Sequence, residues 1–364
     1  MSSSRRLRLP RLSVETITEA QTTASENITT VERKYLIRAI ALENYDTVVR
    51  ELGGEPASLM REVGLPYPIV EPGSWISYER FLQLLDHSAH TLGCKHFGLI
   101  LSRQQGLNAL GSVGLIMQQA RDVGGALRQL VEYHRFHNQG GEVVLNIDRG
   151  KALLSFRERV PGAVPWHQQV DLAAGIAVNF MRLLCARQWA PERLYLPHAA
   201  PENTRPYREV FRAPVTFDWE EGMMVFPESD LAIPLSNSDP RIQAILRQHV
   251  TGLEQSYPDS YSDQIKCLIR QAMFTGDCSL DRVAGYLSVN KRTLQRRLRQ
   301  EGNSFKELLD EVRFEQATRQ LRESRTSLTE LAQRLGYSEL SAFSFAFKHR
   351  YGMSPREWRR QQSS

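Results

Sequence analysis

Two consecutive segments in the C-terminal third each combine a capped amphipathic helix, a short break and a second amphipathic helix. The first pairs SLDRVAGYLSV with NKRTLQRRLRQEG, and the second pairs SLTELAQRLGYS with ELSAFSFAFKHRYG. A serine precedes the first helix of each pair, where its hydroxyl can cap the helix. Leucines then repeat at helical spacing, so each pair must bury one face. The pattern predicts two helix-turn-helix units, joined by a longer helix within SFKELLDEVRFEQATRQLRES.

One stretch of the second unit gives a conflicting signal. In SELSAFSFAFKHRYG, phenylalanine stands at alternate positions 343, 345 and 347, which is the spacing of a strand. Phe343 and Phe347 are also four residues apart, which places both on one face of a helix. We therefore predict a helix with Phe345 away from the buried stripe. The alternative is that Phe345 is simply buried.

Positive charge is concentrated in the same region. Residues 264 to 364 include 19 Lys and Arg against 11 Asp and Glu, whereas the remainder has 27 against 30. In the second helix of the first unit, Leu294 and Leu298 are expected to face inward. The outward positions carry Lys291, Arg292, Gln295, Arg296 and Arg299. Arg and Gln can bond base edges, and peripheral Lys and Arg neutralise phosphates, so a polyanion-binding module is indicated.

These segments resemble the DNA-binding domain of AraC/XylS-type transcription regulators. The resemblance covers about residues 264 to 360 and includes the ending marked by Phe343, Phe347, Gly352, Ser354-Pro355 and Trp358. It implies two recognition helices in successive major-groove segments on one face of the DNA. It also implies promoter DNA and RNA polymerase as partners, with activation as the usual mode.

The resemblance assigns roles to positions of this chain. The residues expected to read bases are Arg292, Gln295 and Arg296 in the first unit, and Leu340, Ser341, Ser344 and Phe345 in the second. Those expected at phosphates are Lys291, Arg299 and Lys348. The family commonly has arginine where this chain has Phe345. We therefore expect the first unit to supply most polar base contacts, and Phe345 to touch thymine methyls or pack on a neighbouring segment.

The N-terminal body mixes helices with antiparallel strands, which indicates an α+β domain. Helical patterns run from about residue 31 to 59, with a break at Gly53-Gly54. EVVLNI and KALLSFRERV flank a turn at 148–150 and predict a hairpin, and RLYLPHA, PVTFDW and MMVFP predict short strands. Residues of about 35 to 235 resemble the arabinose-binding-type domain of metabolite-responsive regulators in this family. That resemblance implies sensing or dimerisation without naming the ligand.

We thus expect a disordered arm at 1–30, a sensory or dimerising α+β domain at 31–238, a linker at 239–262 and an all-α DNA-binding domain at 263–360. The favoured function is a sequence-specific transcription regulator under a small-molecule effector, acting as a homodimer. One alternative is a regulator whose N-terminal domain only dimerises or binds a protein partner. Another is a DNA-repair enzyme carrying this DNA-binding domain, which would need a reactive cysteine in a metal-type cluster near the N-terminus.

The remaining sequence features favour no catalytic or metal chemistry. His87, His90, Cys94 and His96 lie close together, as do His134 and His137, but neither spacing is typical of zinc sites. Ordinary packing is the preferred interpretation for both groups, and no cofactor or enzyme activity is expected. The four cysteines show no paired spacing, and no run approaches the ~18 apolar residues of a membrane helix. A cytoplasmic, reduced protein without membrane association is expected.

Overall fold

Over its described residues, the N-terminal domain packs eight α-helices against two sheets in which most strands pair antiparallel. The computed structural model describes residues 35–68, 74–159, 165–235, 246, 257–274, 277–287, 289–323 and 326–362. The helices of this domain are α1 Tyr45–Glu51, α2 Pro56–Glu62, α3 Tyr78–Thr91, α4 Phe97–Ser102, α5 Ser112–Gln118, α6 Val123–Tyr133, α7 His167–Leu184 and α8 Arg205–Phe211. The expected arm at 1–30 and most of the expected linker lie outside the described residues.

The strands form one small and one larger sheet. Their bounds are β1 Leu36–Arg38, β2 Trp75–Ser77, β3 Gly141–Asp148, β4 Lys151–Glu158, β5 Arg193–Tyr195, β6 Val215–Thr216 and β7 Gly222–Pro227. β1 and β2 pair antiparallel, and the larger sheet has the order β3-β4-β7-β5-β6 with only its β5–β6 pair parallel. This confirms the predicted α+β class for the N-terminal domain.

The predicted hairpin is the β3–β4 pair. Asp148 faces Lys151, so Arg149 and Gly150 alone form the turn, and both have positive φ, at 48° and 76°. A two-residue turn with left-handed residues matches the right-handed twist of the flanking strands. The local sequence was therefore sufficient to locate this element.

The helical interpretation of residues 31 to 59 is wrong at its start. Leu36 pairs with Ser77 and Arg38 with Trp75, which makes this stretch a strand. Its backbone partner lies far away in sequence, so periodicity within the segment could not reveal the pairing.

Helix α7 is the central packing element of the N-terminal domain. Val170, Ala174 and Val178 join the cluster that contains Leu154 and Met224 of the larger sheet. On another face, Leu172 joins the cluster built by α1, α3 and α4. Helix α7 is thus a core helix that packs on both clusters. No helix among the described residues has both the length and the apolarity to cross a membrane.

The C-terminal domain is helical throughout its described residues. Its helices are α9 Tyr261–Phe274, α10 Leu280–Tyr286, α11 Lys291–Gln300, α12 Phe305–Glu323, α13 Leu328–Arg334, α14 Leu340–Tyr351 and α15 Pro355–Gln362. Helices α10 and α11 form the first helix-turn-helix unit, and α13 and α14 form the second. The segment with alternating phenylalanines is α14, so the helical prediction is confirmed.

Candidate nucleic-acid interface

The first unit begins with a capped scaffold helix. The Ser279 hydroxyl accepts a hydrogen bond from the Arg282 backbone N–H at 3.2 Å, which satisfies one exposed donor at the start of α10. Val283 and Leu287 are completely buried and face the rest of the unit. Helix α11 follows with its own cap, because Asn290 Oδ1 accepts from the Thr293 N–H at 2.8 Å. The two caps fix where each helix starts and so fix the turn between them.

Helix α11 has one buried face and one cationic face. Leu294 and Leu298 have no exposed surface. Burial of each stabilises the unit by about 1.5–3 kcal/mol. Arg292, Gln295 and Arg296 are exposed, and within the described ranges none has a hydrogen-bond or ion-pair partner. The structure therefore places the three predicted base-reading residues together on a surface free to meet a ligand.

The predicted phosphate contacts of the first unit flank this surface. Lys291 and Arg299 are exposed at the two ends of α11. Lys291 lies 3.4 Å from the Asp281 carboxylate, and both side chains are mostly solvent-exposed. Such an exposed pair is worth at most about 1 kcal/mol, so Lys291 can exchange Asp281 for a phosphate at little cost.

One arginine of α11 points inward. Arg297 is only 8% exposed, and its guanidinium lies 5.5 Å from the ring centre of Tyr261 on α9. It therefore binds α11 to the first helix of the domain instead of facing a ligand. The helical repeat signals this, because Arg297 lies three residues after Leu294 and next to Leu298 on the buried stripe.

The second unit has an aromatic core. Phe343 and Phe347 are completely buried, with ring centres 5.7 Å apart. Trp358 of α15 packs on Phe347 at 5.8 Å, and Tyr351 packs on both rings. Gly352 ends α14 with φ of 74°, a conformation that glycine adopts without strain. The residues that carried the family resemblance are thus those that fix α14 in place.

The outer face of α14 is poor in polar donors. Phe345 is 76% exposed, which rules out the alternative that it is buried. Its ring stacks on that of His349 at 6.5 Å. Ser341 is exposed and bonds Glu339 at 2.9 Å, whereas Leu340 and Ser344 are half-buried, with Leu340 packed against the aromatic core. Lys348 is exposed one turn beyond Ser344.

An arginine that the sequence did not single out connects the linker helix α12 to the second unit. Arg313 of α12 donates from Nε to the Leu335 carbonyl at 2.9 Å and from Nη2 to the Gly336 carbonyl at 3.0 Å. These carbonyls lie at the C-terminal end of α13, where helix carbonyls lack partners and favour a cation. Only the tertiary fold brings residue 313 to this turn.

The histidine groups considered for metal binding have other contacts. His87 bonds Glu62 at 2.6 Å, and His134 and His137 have ring centres 6.2 Å apart. Burial lowers the pKa of His134 to about 4 and that of His137 to about 3, so both rings are neutral at pH 7. Over the described part of the chain, no three His, Cys, Asp or Glu side chains are arranged to hold a metal ion.

The N-terminal domain contains cavities of small-molecule size. A cavity of about 500 Å³ lies beside α5 and α6. Its lining includes Arg121, Asp122, Arg128, Gln129 and Tyr133. A second, of about 310 Å³, lies beside α1 and is lined by Glu43, Asn44, Tyr45 and Tyr67 among others. Both fall within the range of small-molecule sites.

Comparisons with known proteins agree with this architecture. The family described as the arabinose-binding domain of AraC transcription regulators, N-terminal, matches residues 53–235, and a helix-turn-helix domain matches residues 283–361. The transcriptional regulator VirS of Mycobacterium tuberculosis is 30% identical over 327 residues, covering 89% of this chain and 96% of VirS. The ornithine utilization regulator of Pseudomonas aeruginosa is 25% identical over 301 residues, covering 81% and 87%.

A solved structure also shows similarity to this chain. The transcriptional regulator CdpR from Pseudomonas aeruginosa is 23% identical, with a TM-score of 0.38, and the alignment covers 85% of this chain and 97% of that one. The family matches and the VirS similarity extend over both domains and point to regulators instead of enzymes. The chain belongs to the AraC family of transcription regulators, with a helix-turn-helix DNA-binding domain at its C-terminal end.

Proposed function

We propose that this regulator reads its promoter site mainly through the first helix-turn-helix unit. Arg292, Gln295 and Arg296 of α11 contact base edges in one major-groove segment. Lys291 and Arg299 contact the flanking phosphates. The observation that supports this best is a set of three exposed side chains on α11, without partners among the described residues, opposite a fully buried stripe. Unpartnered donors lose no protein bond when they bind a base.

We propose a different mode for the second unit, in which α14 enters the next major-groove segment. Lys348 contacts phosphate, and Ser341 and Ser344 supply few hydrogen bonds. Phe345 contacts thymine methyl groups, for which an exposed apolar ring is suited. Leu340 contributes only at the edge of this surface, since it is half-buried.

We propose that the N-terminal domain, at 31–238, binds a small-molecule effector and forms a homodimer, and that the bound regulator activates through RNA polymerase. The two cavities support effector binding by their size. A thermal-shift screen of the full-length protein tests this part, because an effector raises the apparent melting temperature by mass action. Absence of any shift across a broad metabolite set would favour the alternative, a domain that only dimerises or binds a protein.

Base reading is tested with Arg296→Ala in a binding assay over a randomised site. The variant should bind the preferred site about 1–3 kcal/mol more weakly and lose preference at one base position. Arg319→Ala is the matched control, because Arg319 is an exposed arginine on α12 whose partner among the described residues is Gln316. A uniform loss of affinity across all sequences for Arg296→Ala would instead make Arg296 a phosphate contact.

Phe345 is tested in the same assay by comparing Phe345→Ala with Phe345→Arg. Loss of the ring should weaken preference for thymine at one position, and arginine should shift that preference towards guanine. If neither substitution alters affinity or preference at any base, Phe345 does not enter the groove.

A further inference from the structure

The hydrophobic core of the first unit is completed by two residues from the N-terminal domain. Leu36 of β1 is fully buried and Trp75 of β2 is 3% exposed, and both lie in the same cluster as Ile265 and Leu268 of α9. This cluster extends through Leu294 of α11. The small sheet of the N-terminal domain and the helices that support α11 therefore share one core.

We call the contact of Leu36 and Trp75 with α9 the seam. Aromatic and cationic side chains surround it. The ring of Tyr257, just before α9, meets Trp75 edge-on at 6.3 Å and Phe136 at 5.4 Å. The Arg38 guanidinium lies 4.0 Å from the Trp75 ring centre, and its Nε donates to the Phe136 carbonyl at 3.1 Å. Aromatic pairs and desolvated cation–π contacts add attraction beyond burial of apolar area.

The seam reaches α10, the helix that precedes α11. Arg80, in the first turn of α3, donates from Nη2 to the Gly285 carbonyl at 3.3 Å. Gly285 lies in the last turn of α10, where a cation is favoured by the helix dipole. Arg80 Nη1 donates to Gln83 Oε1 at 3.2 Å. The N-terminal domain therefore orients the Arg80 side chain.

The polar part of the seam is incompletely satisfied. Gln264 of α9 is 2% exposed and Gln139 is 4% exposed, and the single bond between them, from Gln264 Nε2 to Gln139 Oε1, is long at 3.4 Å. Gln139 Nε2 and Gln264 Oε1 have no partner among the described residues. Buried polar atoms without partners regain hydrogen bonds when the surfaces separate into water. The apolar part of the seam therefore stabilises the closed contact, whereas the unsatisfied polar atoms destabilise it. This balance favours a contact that can open.

The buried residues of the second unit form a cluster of their own, and Met273 of α9 packs against both this cluster and that of the first unit. All buried members of the second unit's cluster lie between Phe314 and Phe347. Arg313 holds the turn after α13 from within the same domain. The fold of the second unit is thus supported by α12, α14 and α15.

We propose that the seam is a positioning interface through which the N-terminal domain controls the first helix-turn-helix unit selectively. When the seam is closed, α10 and α11 are held in one orientation; when it opens, the first unit loses base selectivity and the second unit retains it. Trp75 and Arg80 are positioning residues in this scheme. The proposal rests on the proposed function only in assigning base reading to α11.

The test uses full-length protein and four variants. Trp75→Ala removes the central ring of the seam, and Trp75→Phe retains an aromatic ring as the rescue. Arg80→Gln removes the bond to Gly285, together with the local bond to Gln83, and leaves both cores intact. Lys266→Gln is the control, because Lys266 lies on α9 but pairs with Glu311 of α12. Two quantities are measured: base preference over a randomised site, and amide hydrogen exchange of each helix without DNA.

We expect Trp75→Ala and Arg80→Gln to lose preference at the positions that respond to Arg296→Ala, with at least ~10-fold weaker discrimination for Trp75→Ala. Preference at the other positions should remain. Exchange should quicken in α9, α10 and α11 and stay unchanged in α13 and α14. Trp75→Phe and Lys266→Gln should resemble the wild type.

Two results would overturn the seam proposal. One is wild-type exchange and wild-type preference in both Trp75→Ala and Arg80→Gln. The other is an equal loss in the two units, which would show general destabilisation. If the wild type itself shows no base preference, the proposed function fails, and the exchange measurement still decides whether the seam holds the first unit.

Discussion

A buried carboxylate in the N-terminal domain provides a sharp stability test. Asp171 of α7 is 1% exposed, and the Tyr207 hydroxyl donates to its Oδ2 at 2.5 Å. His198 Nε2 lies 2.9 Å from Oδ1, and His198 Nδ1 lies 3.0 Å from the Ala199 carbonyl. Both imidazole nitrogens face acceptors, so both can donate only when the ring is protonated. With His198 protonated, the network is a buried ion pair with one neutral donor.

Tyr207→Phe removes that donor and leaves the ring in place. The Asp171 carboxylate then keeps its contact with His198 but loses the hydrogen bond from the Tyr207 hydroxyl. A hydrogen bond to a charged group contributes roughly 1.5–3 kcal/mol, so the free energy of unfolding should fall by that amount. Little packing is lost, since the ring contacts with Phe211 and Phe217 remain possible.

Urea unfolding followed by tryptophan fluorescence measures this change. Tyr195→Phe is the matched control, because the Tyr195 hydroxyl has no hydrogen-bond partner in the part of the chain that the structure describes. It should alter the free energy of unfolding by less than about 0.5 kcal/mol. A loss below that size for Tyr207→Phe, or an equal loss for both variants, would refute the assigned role of the hydroxyl.

The same network predicts a pH dependence with a definite sign. Burial lowers the pKa of His198, but the hydrogen bond and the charge of Asp171 outweigh it and raise the pKa overall. Because the pKa of His198 is higher in the folded than in the unfolded chain, protonation of His198 stabilises the fold. This stabilisation is complete below the unfolded-state pKa of about 6.5 and is lost as the pH rises through the folded-state pKa. The stability difference between wild type and His198→Gln should therefore shrink as the pH increases. A difference that grows with pH would contradict the ion pair.

Four further substitutions test packing and the cap at the end of α13. Gly98→Ala should destabilise the N-terminal domain by about 1–3 kcal/mol, because the new Cβ would lie 2.0 Å from the Gln168 carbonyl oxygen. Gly285→Ala should stabilise the protein by roughly 0.5–1 kcal/mol, because the space around its Cβ is open. Urea unfolding measures both changes. Phe347→Ala should cost about 3–5 kcal/mol, seen as faster amide exchange in the second unit. Arg313→Met should quicken exchange at the turn after α13, and unchanged exchange there would refute its capping role.

Local features of this protein follow from the sequence. The serines before α10 and α13 cap those helices as predicted, with Ser327 accepting from the Glu330 N–H at 3.2 Å. The β3–β4 turn is located by two adjacent residues that adopt positive φ. The buried pair Phe343 and Phe347 follows from helical spacing alone. Each of these depends on interactions within about one turn or one hairpin, which neighbouring residues specify.

The sequence alone determined the two helix-turn-helix units, the hairpin and the cationic face of α11. The tertiary structure decided the strand at Leu36–Arg38, the connection through Arg313 and the seam around Trp75. These features join residues far apart in the chain, and their energies come from burial and pairing that no local pattern records. The exposure of Phe345 also needed the structure, because helical spacing excludes it from one stripe but does not show whether another segment covers it.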